Sequence, residues 1–297
     1  MTVASLFVPR SLEEQAFDSL PEEMLHFSAT QAKMAARCFE QFRHRYILHE
    51  KERPGAAMFW GSAHHDALEH NFVQKVNTHE DVKTDEVKEV FATELDRRVE
   101  QAGDEIEWKR GENLTGDDAK KAHAEIKDKG TLLAACHHEA LSPQLQPTTI
   151  EEEFHITIPD CPIEVMGYID CVAERSLLPG ASEEKIIEVK TSGGYSQADD
   201  WRIQGGIYQL YKPLPVDYDV ALKKTVKPST KTFSDPAPAG PEAMQAWLRG
   251  LLAMIALNYK LYGPDRPWPG TGRGAIFGGP DCDFCGWKES CVYWRGV

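Results

Sequence analysis

Residues 163–190 read IEVMGYIDCVAERSLLPGASEEKIIEVK. Apolar and polar positions alternate from Ile163 to Val172, and Lys185 to Lys190 forms a short run around Ile186 and Ile187. Both are patterns of half-buried strands. Leu178-Pro179-Gly180 separates them, as the turn from Pro159 to Pro162 separates the first from the alternating Phe154–Ile158,. Three strands joined by short connections predict a β-meander. Strand side chains alternate, so Glu188 and Lys190 share a face while Val189 turns away. A neighbouring antiparallel strand can set Asp170 beside Glu188 and sends Cys171 to the opposite face.

Two carboxylates held together repel each other unless a cation sits between them. Hard oxygen ligands suit Mg²⁺ or Mn²⁺. Such an ion lowers the pKa of a bound water and stabilises charge developing on a phosphate, and Lys190 can orient or help deprotonate that water. A helix expected from Ser196 to Tyr211 carries Gln204 and Tyr208 one turn apart, on one face,. Upstream, Gly61 to Glu69 reads GSAHHDALE, where His65 can add a nitrogen ligand. Adjacent His64 competes for that role, and a packed histidine is the plain alternative. Each motif alone is short and common; their order and spacing give them weight.

Around this segment the periodicity predicts helices over 28–50, 61–77, 83–101 and 117–140, a strand over 217–226 and an apolar helix over 241–262,. In the first helix Ser28 or Thr30 can cap, and Met34, Cys38, Phe42 and Tyr46 follow at fourfold spacing. The Pro-, Ser- and Thr-rich residues 227–241 read as loop, and the chain beyond Gly263 is rich in Gly and Pro,. The expected division is a helical region over 1–145, a core over 146–262 and a cysteine-rich segment over 263–297.

The chain holds 33 basic and 47 acidic side chains, a formal charge of −14. That balance argues against tight gripping of long duplex nucleic acid, which calls for a basic surface. The excess is confined to residues 1–190, because residues 191–297 hold 12 basic against 10 acidic side chains. A narrow metal site accepting one strand stays compatible with it. No apolar run approaches a membrane span, and the start lacks a secretory pattern, so a cytoplasmic, reducing setting is expected. No G-x-x-x-x-G-K-[ST] occurs, so no helicase motor is expected.

Seven cysteines occur. Cys282, Cys285 and Cys291 form C-x2-C-x5-C, and three thiolates need a fourth partner to close a tetrahedral or cubane site. Cys38 is the candidate; zinc and iron–sulfur are both open occupants. Cys136, Cys161 and Cys171 read as packed small hydrophobes. Trp287, Tyr293 and Trp294 near the trio can shield such a site or stack unpaired bases. Arg37, Arg43 and Arg45 can line a strand-entering groove or stand solvated.

GSAHHDALE, GYID, EVK and the QGGIY helix together resemble the RecB-like branch of the PD-(D/E)XK nuclease superfamily, over about Ser28 to Cys291. The cysteine arrangement is similar to that of the fourth CRISPR-associated protein family and AddB-type nuclease domains. The resemblance implies an α/β restriction-endonuclease-like core, a mixed central sheet flanked by helices, with a helical N-terminal region and a C-terminal iron–sulfur lobe. It implies that His65, Asp170 and Glu188 bind Mg²⁺ or Mn²⁺, with the Val189 carbonyl as a further ligand. Lys190 would be the catalytic lysine, and Gln204 and Tyr208 would complete the site and contact DNA. Cys38, Cys282, Cys285 and Cys291 would hold a 4Fe–4S cluster that staples the chain ends, zinc being the lesser alternative. The implied activity is exonucleolytic hydrolysis of single-stranded DNA, 5′ ends included. Phage recombination and CRISPR spacer processing are the implied settings, with their proteins as partners. A non-catalytic DNA-binding adaptor that keeps the fold and cluster is the rival reading.

Overall fold

The computed structural model describes residues 11–294 except 110, 111, 113, 179, 195–197, 224–228, 238, 239, 271–281, 283 and 284. Pro179 and Ser196, expected at a turn and a helix start, lie outside the described residues. In chain order the elements are α1 (Leu12–Phe17), β1 (His26–Phe27), α2 (Ala29–Arg37), α3 (Phe39–Phe42), α4 (Ala56–Thr78), α5 (Thr84–Ala102) and α6 (Gly116–Leu141). Then follow β2 (Leu145–Thr157), β3 (Glu164–Leu178), β4 (Ala181–Ser192), α7 (Ala198–Tyr211), β5 (Val216–Leu222), β6 (Ser229–Asp235) and α8 (Glu242–Tyr262). They fall into two compact units: 1–52 with 155–167 and 240–297, and 53–154 with 168–239.

In the larger unit the strand order is β3-β4-β5-β6, with β2 pairing β3. β4 runs antiparallel to β3 and parallel to β5, and β5 runs antiparallel to β6. Parallel neighbours need a crossover, and α7 supplies it. Cys171, Ala173, Ile187, Val189 and Ala221 from the sheet join Leu68, Phe72, Phe91, Leu95 and Leu133 from α4 to α6 in one apolar core. This is a mixed central sheet flanked by helices, the restriction-endonuclease-like arrangement.

The loop expected over 227–241 is corrected: Ser229–Asp235 is strand β6. Its composition looks loop-like, yet its hydroxyls answer a buried need. Asp217 and Asp219 of β5 are almost fully buried. Arg175 Nη1 donates to both at 2.9 Å. Thr232 Oγ1 donates to Asp219 at 2.5 Å, and Ser234 Oγ donates to Asp217. Buried carboxylates need such partners. Phe233 stacks on Tyr218 at 5.1 Å between ring centroids.

In the smaller unit β1 pairs parallel with β3 through His26↔Glu164 and Phe27↔Val165. A single helix over 28–50 is also corrected. α2 opens on a capping box between Ser28 and Gln31,, and ends at Cys38, which is extended at φ −163° and ψ 121°. α3 and a five-residue π-turn, Arg43–Ile47, follow on a new course. That course buries Glu40, whose carboxylate accepts from Arg43 Nε at 2.9 Å, Arg43 Nη2 at 2.7 Å and the Trp268 backbone N–H at 2.7 Å. Arg43 Nη1 also donates to the Pro264 carbonyl at 2.7 Å. The clamp holds α3 to the segment after α8, and Phe42 stacks on fully buried Trp268.

The α5–α6 contact depends on a missing side chain. A Cβ at Gly130 would lie 2.0 Å from Phe91 Cζ, and Phe91 is fully buried. Gly130→Ala gains roughly 1 kcal/mol of helix propensity but forces that ring to move, an overpacking cost of about 1–3 kcal/mol. A net loss of stability, read as a lower urea midpoint, is the expected result; an unchanged or higher midpoint contradicts this packing.

Candidate functional site

The β3–β4 ladder runs from Leu178↔Ala181 to Cys171↔Ile187. Asp170 and Glu188 are the next residue on each strand. Both acids therefore stand just past the last pair of the ladder, on neighbouring strands. α4 brings His65 to them, and its Nε2 lies 2.7 Å from Asp170 Oδ2. The approach of α4 to β4 is close: a Cβ at Gly61 would be 3.2 Å from Thr191 Oγ1. His64 faces inward, fully buried, its Nε2 2.8 Å from His137 Nδ1. The adjacent histidines are thus divided between packing and site.

Lys190 Nζ donates to Glu188 Oε1 and, at 3.1 Å, to Gln204 Oε1. Gln204 Nε2 donates to Glu188 Oε1 at 2.9 Å and to the Tyr208 hydroxyl at 2.5 Å. The helical spacing of Gln204 and Tyr208 thus forms a bracket along α7 around Glu188 and Lys190. Val189 turns its side chain into the helix-facing core. Asp170, Glu188, Lys190, Gln204, Tyr208 and His65 form one contiguous network.

Two members were not assigned from sequence. Glu69 lies one turn beyond His65 on α4, and Glu151 lies on β2 at a left-handed φ of 49°. One ligand atom from each of His65, Glu69 and Glu151 falls within 4.8 Å of the others. Glu69 had a signal, the i,i+4 spacing from His65 within GSAHHDALE. Glu151 opens a Glu-Glu-Glu run that has no periodicity of its own.

The electrostatics follow from crowding. Burial raises the Glu188 pKa, and the Asp170 charge adds to it. Burial and the charges of Asp170 and Glu69 push Glu151 up to about 7. Burial would raise Asp170 as well, but His65 and Lys190 hold it below the ordinary value. Burial opposes charge on His65, yet Asp170 raises it to about 9. Glu188 Oε2 is buried with no hydrogen-bond partner. An excess of carboxylate, an orphaned carboxylate oxygen and an imidazole are a donor set that fits a hard divalent cation.

In the smaller unit Cys38, Cys282, Cys285 and Cys291 line one cavity with Trp287 and Trp294. Burial pushes the Cys285 thiol up to about 11, Cys291 and Cys38 adding to the effect. No disulfide joins any of the seven cysteines. Cys171 is buried.

A mixed sheet with an acid on one strand and Glu-x-Lys on the next defines a class, the restriction-endonuclease-like α/β fold. The family model described as the PD-(D/E)XK nuclease superfamily matches residues 26–292. The chain belongs to that superfamily, whose members are typically metal-dependent nucleases. No curated protein matches it. It is similar to a solved structure described as "Crystal structure of SSO0001", at 11% identity and a TM-score of 0.41 over 95% of this chain and 93% of that one. Among the described residues, no helix is long and apolar enough to cross a membrane.

The His65–Asp170 pair gives a pH signature in metal-free protein. A histidine raised from its ordinary 6.5 to about 9 contributes stability that is complete below pH 6.5 and lost as pH rises through about 9. Asp170→Asn should return the His65 titration, followed by imidazole NMR, toward 6.5. A titration still near 9 in that variant contradicts the pairing.

Proposed function

We propose that the chain is a divalent-metal-dependent DNA exonuclease acting on single strands, 5′ ends included. The observation that carries this reading is the gathering of His65, Asp170, Glu188, Lys190 and Gln204 into one network that leaves Glu188 Oε2 buried without a hydrogen-bond partner. His65, Asp170, Glu188 and the Val189 carbonyl would hold Mg²⁺ or Mn²⁺, with Glu69 and Glu151 close to hand. When bound, the ion supplies an acidified water and charge neutralisation at the phosphate. Lys190, fixed between Glu188 and Gln204, orients the attacking oxygen and offsets negative charge on the scissile phosphate. Glu188, raised by its surroundings, can take a proton. Gln204 and Tyr208 hold the lysine and contact the strand. DNA processing in phage recombination or CRISPR spacer processing is the setting this activity suits.

The test is release of label from 5′- and 3′-labelled single strands with Mg²⁺ or Mn²⁺ and with chelator. Metal-dependent release is expected, slowed roughly 10²-fold or more by Lys190→Ala. Lys190→Ala cleaving as fast as wild type overturns the assignment. An inert wild-type protein that binds the strands leaves the adaptor reading in its place.

Cys38, Cys282, Cys285 and Cys291 would hold a 4Fe–4S cluster, the C-terminal segment 263–297 closing the site with the first helical region. The four thiols lining one cavity, with aromatic side chains to shield it, support this reading. Anaerobically purified protein should be brown, with about four iron atoms per chain, and Cys38→Ala should lose most of them. Colourless protein with one zinc, or unchanged iron in Cys38→Ala, refutes the cluster.

A further inference from the structure

Helix α8 has two apolar faces. Leu248, Leu251, Leu252, Ile255 and Ala256 are buried within the smaller unit. A second row, Ala243, Trp247, Gly250, Met254, Leu257 and Leu261, follows the 4-3-4-3-4 spacing of a coiled-coil seam for the length of the helix,. Trp247 is 39% exposed, Met254 46% and Leu261 51%. Ala243 and Gly250 are exposed and Leu257 is partly buried. Isolated exposed apolar side chains are ordinary, but an uninterrupted seam of six on one helix is not. None of the charged residues of α8, Glu242, Arg249 and Lys260, falls in it.

We propose that this face pairs with the same face of a second copy of the chain, the two α8 helices running antiparallel about a twofold axis at residue 252. The first argument is size. Antiparallel pairing about that point sets Ala243 opposite Leu261, Gly250 opposite Met254 and Trp247 opposite Leu257. Each small residue meets a large one, and the space outside Gly250 holds nothing within 4 Å of a would-be Cβ, room for the methionine of the other copy. Parallel pairing would set Gly250 against Gly250 and Trp247 against Trp247, leaving a hole beside a clash.

The second argument is charge. Glu242 and Lys260 lie 18 residues apart, five turns, and so on the same flank of the seam. Antiparallel pairing brings Glu242 of one copy within two residues, about 3 Å along the axis, of Lys260 of the other, twice over. Parallel pairing aligns like with like. In the single chain Lys260 Nζ donates to Gln15 Oε1 at 3.2 Å from an exposed position.

The test is the mass of the full chain in solution, in reductant, by sedimentation across low to tens of micromolar. Wild type is expected to be a dimer. Met254→Glu, at an exposed position, should raise the dimer dissociation constant at least tenfold while leaving the melting temperature of the monomer intact; Met254→Leu should keep the dimer. Glu242→Lys should weaken pairing, and Glu242→Lys with Lys260→Glu should restore it, which only the antiparallel arrangement allows. A wild-type monomer at tens of micromolar, a dimer indifferent to Met254→Glu, or a double charge reversal no tighter than the single overturns the proposal.

Discussion

Asp170 and Glu188 share one small volume because two strands carry them to the same end of a ladder. Their mutual repulsion, sharpened by burial, is the constraint the surrounding network answers. His65 comes from a helix on the far side in sequence, Lys190 from two residues along the same strand, and Gln204 from the crossover helix. Each supplies a proton or a positive charge to an oxygen that would otherwise stand unpaired. The compensation is incomplete, since Glu188 keeps an orphaned oxygen and a raised pKa, and Glu151 adds a further acid. Protein cations alone do not neutralise this cluster, in which His65 and Asp170 already share one hydrogen bond.

The contrast with Glu40 is instructive. That carboxylate is equally buried, but both oxygens are bonded, and despite burial its hydrogen bonds to Arg43, His44 and Trp268 hold its pKa down to about 2. It is a finished structural clamp. Asp219 lies between the two cases. One of its oxygens is unbonded and burial raises it, but the Arg175 guanidinium donates to it and to Asp217. Burial of an acid therefore does not by itself mark a site. What distinguishes Glu188 is a cluster of further acids and an imidazole brought to it by three other elements, α4, β2 and β3.

Much of this was legible in the sequence because it depended on local periodicity. The α5 and α6 boundaries fell within about one residue of expectation, since both helices carry long amphipathic patterns between polar linkers. The alternation in β3 and β4 placed Asp170 and Glu188 on facing strands without coordinates. What escaped had non-local causes. The break at Cys38 follows from a clamp formed with Trp268 and Pro264, more than 200 residues away in sequence. β6 hid in a Ser/Thr-rich stretch because its hydroxyls serve buried aspartates on another strand. Glu151 was missed because its role comes from a left-handed residue in an otherwise extended strand, which no short-range pattern announces.

The position of the lysine completes the argument. A free lysine at a strand end has four side-chain torsions to lose on taking up one working geometry, a cost approaching about 2 kcal/mol. Here that cost is met in folding, because Glu188 and Gln204 accept from Lys190 Nζ on two sides and Tyr208 in turn accepts from Gln204. The ammonium is thereby preorganised next to the acids before any strand arrives. The same bracket explains why the Gln/Tyr pair belongs on a helix: one turn of spacing lets a single rigid element fix a donor and an acceptor at once.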